Sequence, residues 1–243
     1  MAKMIEINNI PAYLYEPAGE CKGGLIVVHE VWGLSDHIKN VAERFSAEGY
    51  LVIAPDFFSE TGIYEKLTPG LAEELFDPQK RNLVQPKLRE LMAPLHAPGF
   101  SEETVRKLRN CFDYLEAQAS TDGHIAVTGF CFGGTYSFAL AVAEPRLKAA
   151  VPFYGHSDNS VDELKHITCP ILAFYGEKDE RLISSLPELE ENMKQANIDF
   201  TAQIYPECGH AFFNDTNRFA YNQAASYDAW QKALHFLETN ISL

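Results

Sequence analysis

Long hydrophobic runs are missing from this chain. No stretch approaches the roughly 18 consecutive apolar residues that a membrane-spanning helix needs, and the opening MAKMIEINNIPAYLYEP holds no basic segment followed by an apolar one. A cytoplasmic chain with no membrane partner is therefore expected. Positive charge is also scarce: 20 lysines and arginines stand against 34 aspartates and glutamates, a formal charge of −14. That balance repels phosphate, so no nucleic-acid partner is expected and a small molecule is. Cysteine pairs are lacking too. Cys21, Cys111, Cys131, Cys169 and Cys208 are odd in number, widely spaced and form no CxxC, which fits neither a disulfide framework nor a structural zinc site. There is no HExxH, no paired spacing among His29, His37, His96 and His156, and no GxGxxG or GxxxxGK[ST]. No metal and no cofactor are therefore expected.

What is present is a globular composition, 46% hydrophobic and 12% aromatic over 243 residues. Met4 to Glu16 alternates around Pro11 and reads as two short antiparallel strands. From Gly24 the pattern changes to continuous apolar runs, the mark of strands covered on both faces. Strands are expected at Gly24 to Val28, Tyr50 to Ala54, Ile125 to Thr128, Ala149 to Tyr154, Ile171 to Tyr175 and Phe200 to Tyr205. The helical segments between them are Ile38 to Phe45, Glu102 to Ala119, Gly134 to Ala143 and Leu186 to Ala196, with a last helix from about Ala220 to Thr239. This alternation predicts an α/β fold, a mostly parallel, doubly wound sheet with helices on both faces, whose active site lies at the strand carboxyl ends. Residues Phe57 to Phe100 break the rhythm. They carry Pro69, Pro78, Pro86, Pro94 and Pro98 among helical stretches such as Leu71 to Phe76 and Pro86 to Met92. They read as a cap-like insertion in a single domain spanning 1–243.

The strongest local signal is Gly129-Phe130-Cys131-Phe132-Gly133-Gly134, between a strand and a helix. It has the form G-x-nucleophile-x-G, with cysteine in place of serine. The helix start beyond it places amides near the sulfur, stabilising a thiolate and an oxyanion. A glycine-rich turn with a merely packed cysteine is the plainer alternative. Downstream, Asp179 in Gly176-Glu177-Lys178-Asp179 and His210 in Cys208-Gly209-His210-Ala211-Phe212 each follow a strand end. Singly, each reads more readily as a cap or a turn residue; the order nucleophile, acid, histidine is that of the α/β-hydrolases. Glu30 ends another strand in the apolar context of Val28-His29-Glu30-Val31-Trp32, where a carboxylate is costly unless paired. The Val31 and Phe132 amides are the candidate oxyanion hole. Trp32, Tyr154 and Phe212, next to these positions, are candidates to line an acyl pocket, with core packing the plainer role for each.

Cys131 in GFCFGG, Glu30 in HEVWG, Asp179 in YGEKD and His210 in CGHAFFN together resemble the dienelactone hydrolase (carboxymethylenebutenolidase) family of α/β-hydrolases. The likeness extends to Ala54-Pro55-Asp56, Phe153-Tyr154-Gly155 and Ala229-Trp230. It implies an α/β-hydrolase fold and hydrolysis of a small lactone or carboxylic ester through a Cys-His-Asp triad and an acyl-enzyme. Cys131 is then the nucleophile, His210 the proton shuttle, Asp179 its orienting acid, and Glu30 a group that contacts the resting thiol. It also implies two arginines on a substrate carboxylate. The second of these falls at Asn214, while Arg81 fits the first, with Arg89 another candidate and Arg218 a substitute for the missing one. That departure favours a neutral ester. The alternatives are a broader esterase or peptidase, and a non-enzymatic thiol sensor or ligand-binding protein that needs neither Asp179 nor His210.

Overall fold

The computed structural model describes residues 2–242 apart from 65, 68, 69, 72, 73, 75, 76 and 78 and the side chains of Arg81 and Asn82. The first unbroken apolar run forms β3 (Gly23–Val28), buried at every position. β4 (Tyr50–Pro55), β5 (Ile125–Phe130), β6 (Ala149–Phe153) and β7 (Ile171–Gly176) are likewise buried throughout, as strands sandwiched between helices must be. β8 (Phe200–Tyr205) closes one edge. At the other, β1 (Ala2–Ile7) and β2 (Ile10–Tyr15) form a hairpin. Its turn residues Asn8 and Asn9 both take positive φ, as a two-residue turn matched to strand twist requires.

These strands make one eight-stranded sheet in the order β1-β2-β4-β3-β5-β6-β7-β8. β2 is antiparallel to both β1 and β4, and the remaining pairs are parallel. Among the described residues the α-helices with defined bounds are α1 (Asp36–Ala47), α2 (Arg81–Leu91), α3 (Phe100–Glu116), α4 (Phe132–Ala143), α5 (Val161–Leu164), α6 (Glu180–Gln195) and α7 (Gln223–Ile241). α1 and α7 meet where the Phe45 and Trp230 rings lie 4.3 Å apart. This is the doubly wound α/β-hydrolase arrangement. Among the described residues no helix is long and apolar enough to cross a membrane.

The chain winds outward in opposite directions from β3, so β3 and β5 border the switch point, where a crevice opens beyond the strand ends. The register then sets the site. Val28 pairs with Gly129 and Phe130 with Phe153. Glu30 and Cys131, each two residues beyond a paired position, therefore emerge side by side, with Tyr154 on the other flank.

Several boundaries differ from the sequence reading. α6 starts at Glu180, six residues before Leu186, because Leu182, Leu186, Leu189 and Met193 form one buried stripe. Ser184 and Ser185 bond back to the Arg181 carbonyl within the helix instead of ending it, and Pro187 inside it forfeits only one backbone bond. α7 starts at Gln223, where Asn222 caps the Ala225 amide at 3.0 Å, so Arg218 lies in the turn before the helix. α5 was not foreseen; a reciprocal capping box between Ser160 and Glu163 holds it. In the insertion, α2 contains Pro86 instead of beginning there, and Phe57, Phe58, Ile63, Leu91 and Met92 join the sheet's own core. The stretch Leu71 to Phe76 lies mostly outside the described residues.

Candidate active site

Cys131 sits between β5 and α4 with φ 56° and ψ −108°, a conformation that costs a non-glycine residue about 1–3 kcal/mol. Close packing holds it there. A Cβ on Gly129 would lie 2.2 Å from the Gly133 carbonyl oxygen, and one on Gly133 would lie 2.2 Å from that of Val28. The Cys131 amide donates to the Phe153 carbonyl at 3.0 Å, and its carbonyl accepts from Thr135 at 3.1 Å. The turn therefore pushes the side chain out at the sheet edge, where it is partly exposed.

The β7 and β8 exit loops are zipped together. Glu177 donates its amide to the Tyr205 carbonyl and Lys178 to that of Cys208. This zipper brings Asp179 Oδ2 to 2.5 Å from His210 Nδ1. Asp179 occupies the N-cap position of α6, yet its side chain caps nothing; it serves the histidine instead. Burial alone would lower the His210 pKa, but its interactions with Cys131 and Asp179 outweigh burial and push it up to about 10. His210 thus interacts with both groups. Cys131, Asp179 and His210 are brought into one cluster.

Glu30 is 1% exposed. It accepts hydrogen bonds from the Tyr154 hydroxyl at 3.3 Å and the Asn214 amide at 2.6 Å. Burial pushes its pKa up, against the pull of His37, His210 and these two donors. Its partners are therefore Tyr154 and Asn214 rather than the resting thiol. His29 beside it is neutral, its pKa lowered by burial to about 4. Its Nε2 accepts from the Phe57 amide at 3.2 Å, so Nδ1 carries the proton and donates to the Glu30 carbonyl at 2.7 Å.

The Val31 and Phe132 amides donate no hydrogen bond among the described residues, as the donors of an oxyanion hole must be free to do. The Phe132 ring stacks on His29 at 5.6 Å and packs against Phe58 and Phe100, so the insertion reaches the site through aromatic contacts. Trp32 is partly exposed next to Val31. Tyr154 and Phe212 are not open pocket walls. Tyr154 is buried with its ring 5.0 Å from His210, and Phe212 lies fully buried behind it. The Arg81 side chain lies outside the described residues. Arg89 is exposed, and the Arg218 guanidinium stacks on Phe219 at 4.8 Å.

Comparison with known proteins agrees with this geometry. The sequence model of the dienelactone hydrolase family matches residues 10–241. The chain belongs to the dienelactone hydrolase family. A protein of Saccharolobus solfataricus named "Putative carboxymethylenebutenolidase" is 31% identical, over 94% of this chain and 93% of its own. The crystal structure of a "Putative Dienelactone Hydrolase" from Klebsiella pneumoniae superposes with a TM-score of 0.79 at 27% identity, covering 98% of each chain. Membership makes the protein a hydrolase and implies a small-molecule ester substrate.

Within this dienelactone hydrolase family member the sequence reading missed the work of Asn214, taken only as an absent arginine. Its Oδ1 accepts from the Thr216 amide and hydroxyl, which fixes the amide so that Nδ2 faces Glu30. The available signal was a polar residue ending the apolar run Ala211-Phe212-Phe213. A second dyad was also missed: Asp215 Oδ1 lies 2.9 Å from His37 Nδ1, with the ring packed on Phe130 and Phe213.

Proposed function

We propose that the protein hydrolyses small carboxylic esters or lactones with Cys131 as nucleophile, His210 as proton shuttle and Asp179 as its orienting acid. The observation that carries this reading is the elbow cysteine facing a histidine whose pKa is pushed up to about 10 by the sulfur and Asp179. The reactive form is the thiolate left when the Cys131 proton passes to His210. The thiolate attacks the carbonyl carbon, and the carbonyl electron pair moves to the oxygen, which takes hydrogen bonds from the Val31 and Phe132 amides. Collapse expels the alkoxide, and His210 gives it the proton.

Acylation removes the charge on sulfur, the largest of the influences that raise the His210 pKa. The histidine therefore becomes a competent base only once the acyl-enzyme exists, when it must deprotonate water. Glu30, buried between Tyr154 and Asn214, acts on the electrostatics of this step without a bond to the sulfur. The insertion joins the hydrolase core as part of one domain. Stoichiometric alkylation by iodoacetamide tests the reading: turnover of p-nitrophenyl butyrate is expected to stop in proportion to Cys131 modified, and turnover that survives full modification overturns it.

A further inference from the structure

The Val31 amide lies in the turn Glu30 to Gly33, which closes where the Gly33 amide donates to the Glu30 carbonyl at 3.0 Å. A turn of this kind uses its first carbonyl and its fourth amide, so the amide of its second residue stays unpaired. The Glu30 carbonyl and the Val31 N–H belong to one planar trans peptide and point in opposite directions. A group that holds the carbonyl therefore aims the amide.

His29 is such a group. Its Nδ1–H donates to the Glu30 carbonyl at 2.7 Å, and its Nε2 accepts from the Phe57 amide at 3.2 Å. Phe57 opens the insertion, and its N–H admits only the tautomer with a bare Nε2. The ring is fully buried. Phe58 meets it edge-on at 4.5 Å, and it stacks at 7° on Phe132, whose own amide is the other candidate donor to the oxyanion. A second bridge fixes the far side of the turn. The Tyr64 hydroxyl, also from the insertion, accepts from the Leu34 amide at 3.1 Å and donates to Asp56 Oδ1 at 2.9 Å. Asp56 Oδ1 also takes the Phe58 and Ser59 amides at 2.9 and 3.1 Å, so the anchor is itself held. Gly33 permits the close approach: its φ is 71°, and a Cβ there would lie 2.2 Å from the Tyr64 hydroxyl oxygen.

We infer that His29 and Tyr64 are positioning residues through which the insertion aims the Val31 amide at the oxyanion formed during acylation. They act through the Glu30–Val31 peptide and the Leu34 amide. The inference rests on the hydrolase reading for the oxyanion itself. Donors to an oxyanion must sit about 2.7–3.1 Å from where the charge develops, and a hydrogen bond weakens steeply as its angle closes below ~120°. A loosened peptide plane therefore slows acylation and leaves the nucleophile as it was.

Two reactions of Cys131 separate this role from general support of the fold. Acylation by p-nitrophenyl trimethylacetate, read as the rate of the nitrophenol burst, builds negative charge on the carbonyl oxygen. Alkylation by iodoacetamide displaces iodide from a saturated carbon and builds none there. The ratio of the two rates is compared in wild type, His29→Leu, His29→Asn and Tyr64→Phe. Losing an oxyanion donor outright costs about 10²–10³ in rate, so with the donor present but unaimed the ratio is expected to fall about tenfold in His29→Leu and at least about threefold in Tyr64→Phe. His29→Asn keeps an N–H on the atom bonded to Cγ and is expected to recover part of the ratio. Tyr64 is 37% exposed and Tyr64→Phe removes one oxygen, so that variant decides alone if His29→Leu does not fold. A ratio within twofold of wild type in the folded variants, or acylation and alkylation falling together, overturns the inference and leaves the hydrolase reading in place. No acylation of Cys131 in wild type overturns both.

Discussion

Replacing Asp179 by asparagine keeps the shape of the dyad and removes its charge. Asp179 Oδ2 lies 2.5 Å from His210 Nδ1, with the carboxylate side chain 10% exposed and the imidazole 34%. A hydrogen bond to a charged group in such a setting contributes about 1.5–3 kcal/mol, and the partial exposure of the ring places the effect toward the lower figure. At 1.36 kcal/mol per unit, this predicts that the His210 pKa falls by about one to two units from its present value near 10. It does not return to the ordinary histidine range, because the charge on Cys131 remains. In the proposed mechanism the imidazolium is the proton donor to the leaving group, so kcat/KM is expected to fall as pH rises through the His210 pKa. The assay is the kcat/KM profile with p-nitrophenyl butyrate from pH 7 to 11, together with iodoacetamide alkylation rates over the same range. The descending limb is expected to move down by one to two units in Asp179→Asn, with turnover at pH 8 reduced at least tenfold. An unmoved limb would refute the argument, because Asp179 would then be holding geometry and not charge.

Other predictions follow from the same packing. Asn214→Leu leaves Glu30 Oε2 without its 2.6 Å partner and is expected to destabilise the fold by about 1–3 kcal/mol in denaturant titrations; a loss below 0.5 kcal/mol contradicts the contact. His29 is neutral in the fold with a pKa lowered to about 4 from 6.5. The unfolded chain therefore binds the extra proton between those values, and stability falls with acidification by up to about 3 kcal/mol across that window. His29→Asn is expected to flatten this slope in melts from pH 7 to 4, and an unaltered slope counts against a buried neutral ring. Gly133→Ala puts a methyl 2.2 Å from the Val28 carbonyl oxygen, costing about 1–3 kcal/mol or more by overpacking; wild-type stability in that variant excludes the packed elbow.

The alternation of buried strands and helices was legible in the sequence because a strand covered on both faces has to be apolar throughout, and β3 to β7 are. The position of Cys131 was legible for the related reason that it follows β5 directly, whereas Asp179 and His210 lie in the loops after β7 and the only partly buried β8, where their order along the chain was the signal. Helix ends were read less well: Ser184, Ser185 and Pro187 look like punctuation but sit inside α6, where tertiary burial of Leu182 and Leu186 overrides local preference. The partners of Glu30 were not legible. They come from the residue just after β6 and from the loop after His210, 124 and 184 residues away, and it is the register of β3, β5 and β6 that sets Tyr154 beside Glu30.

The most direct test of the central claim is mass spectrometry of the protein acid-quenched during turnover of a slowly released ester such as p-nitrophenyl trimethylacetate. The account predicts one added acyl group, located on the peptide containing Cys131, that accumulates with the burst of nitrophenol and disappears with steady-state hydrolysis. Turnover with that peptide unmodified, or acyl mass on another residue, contradicts it.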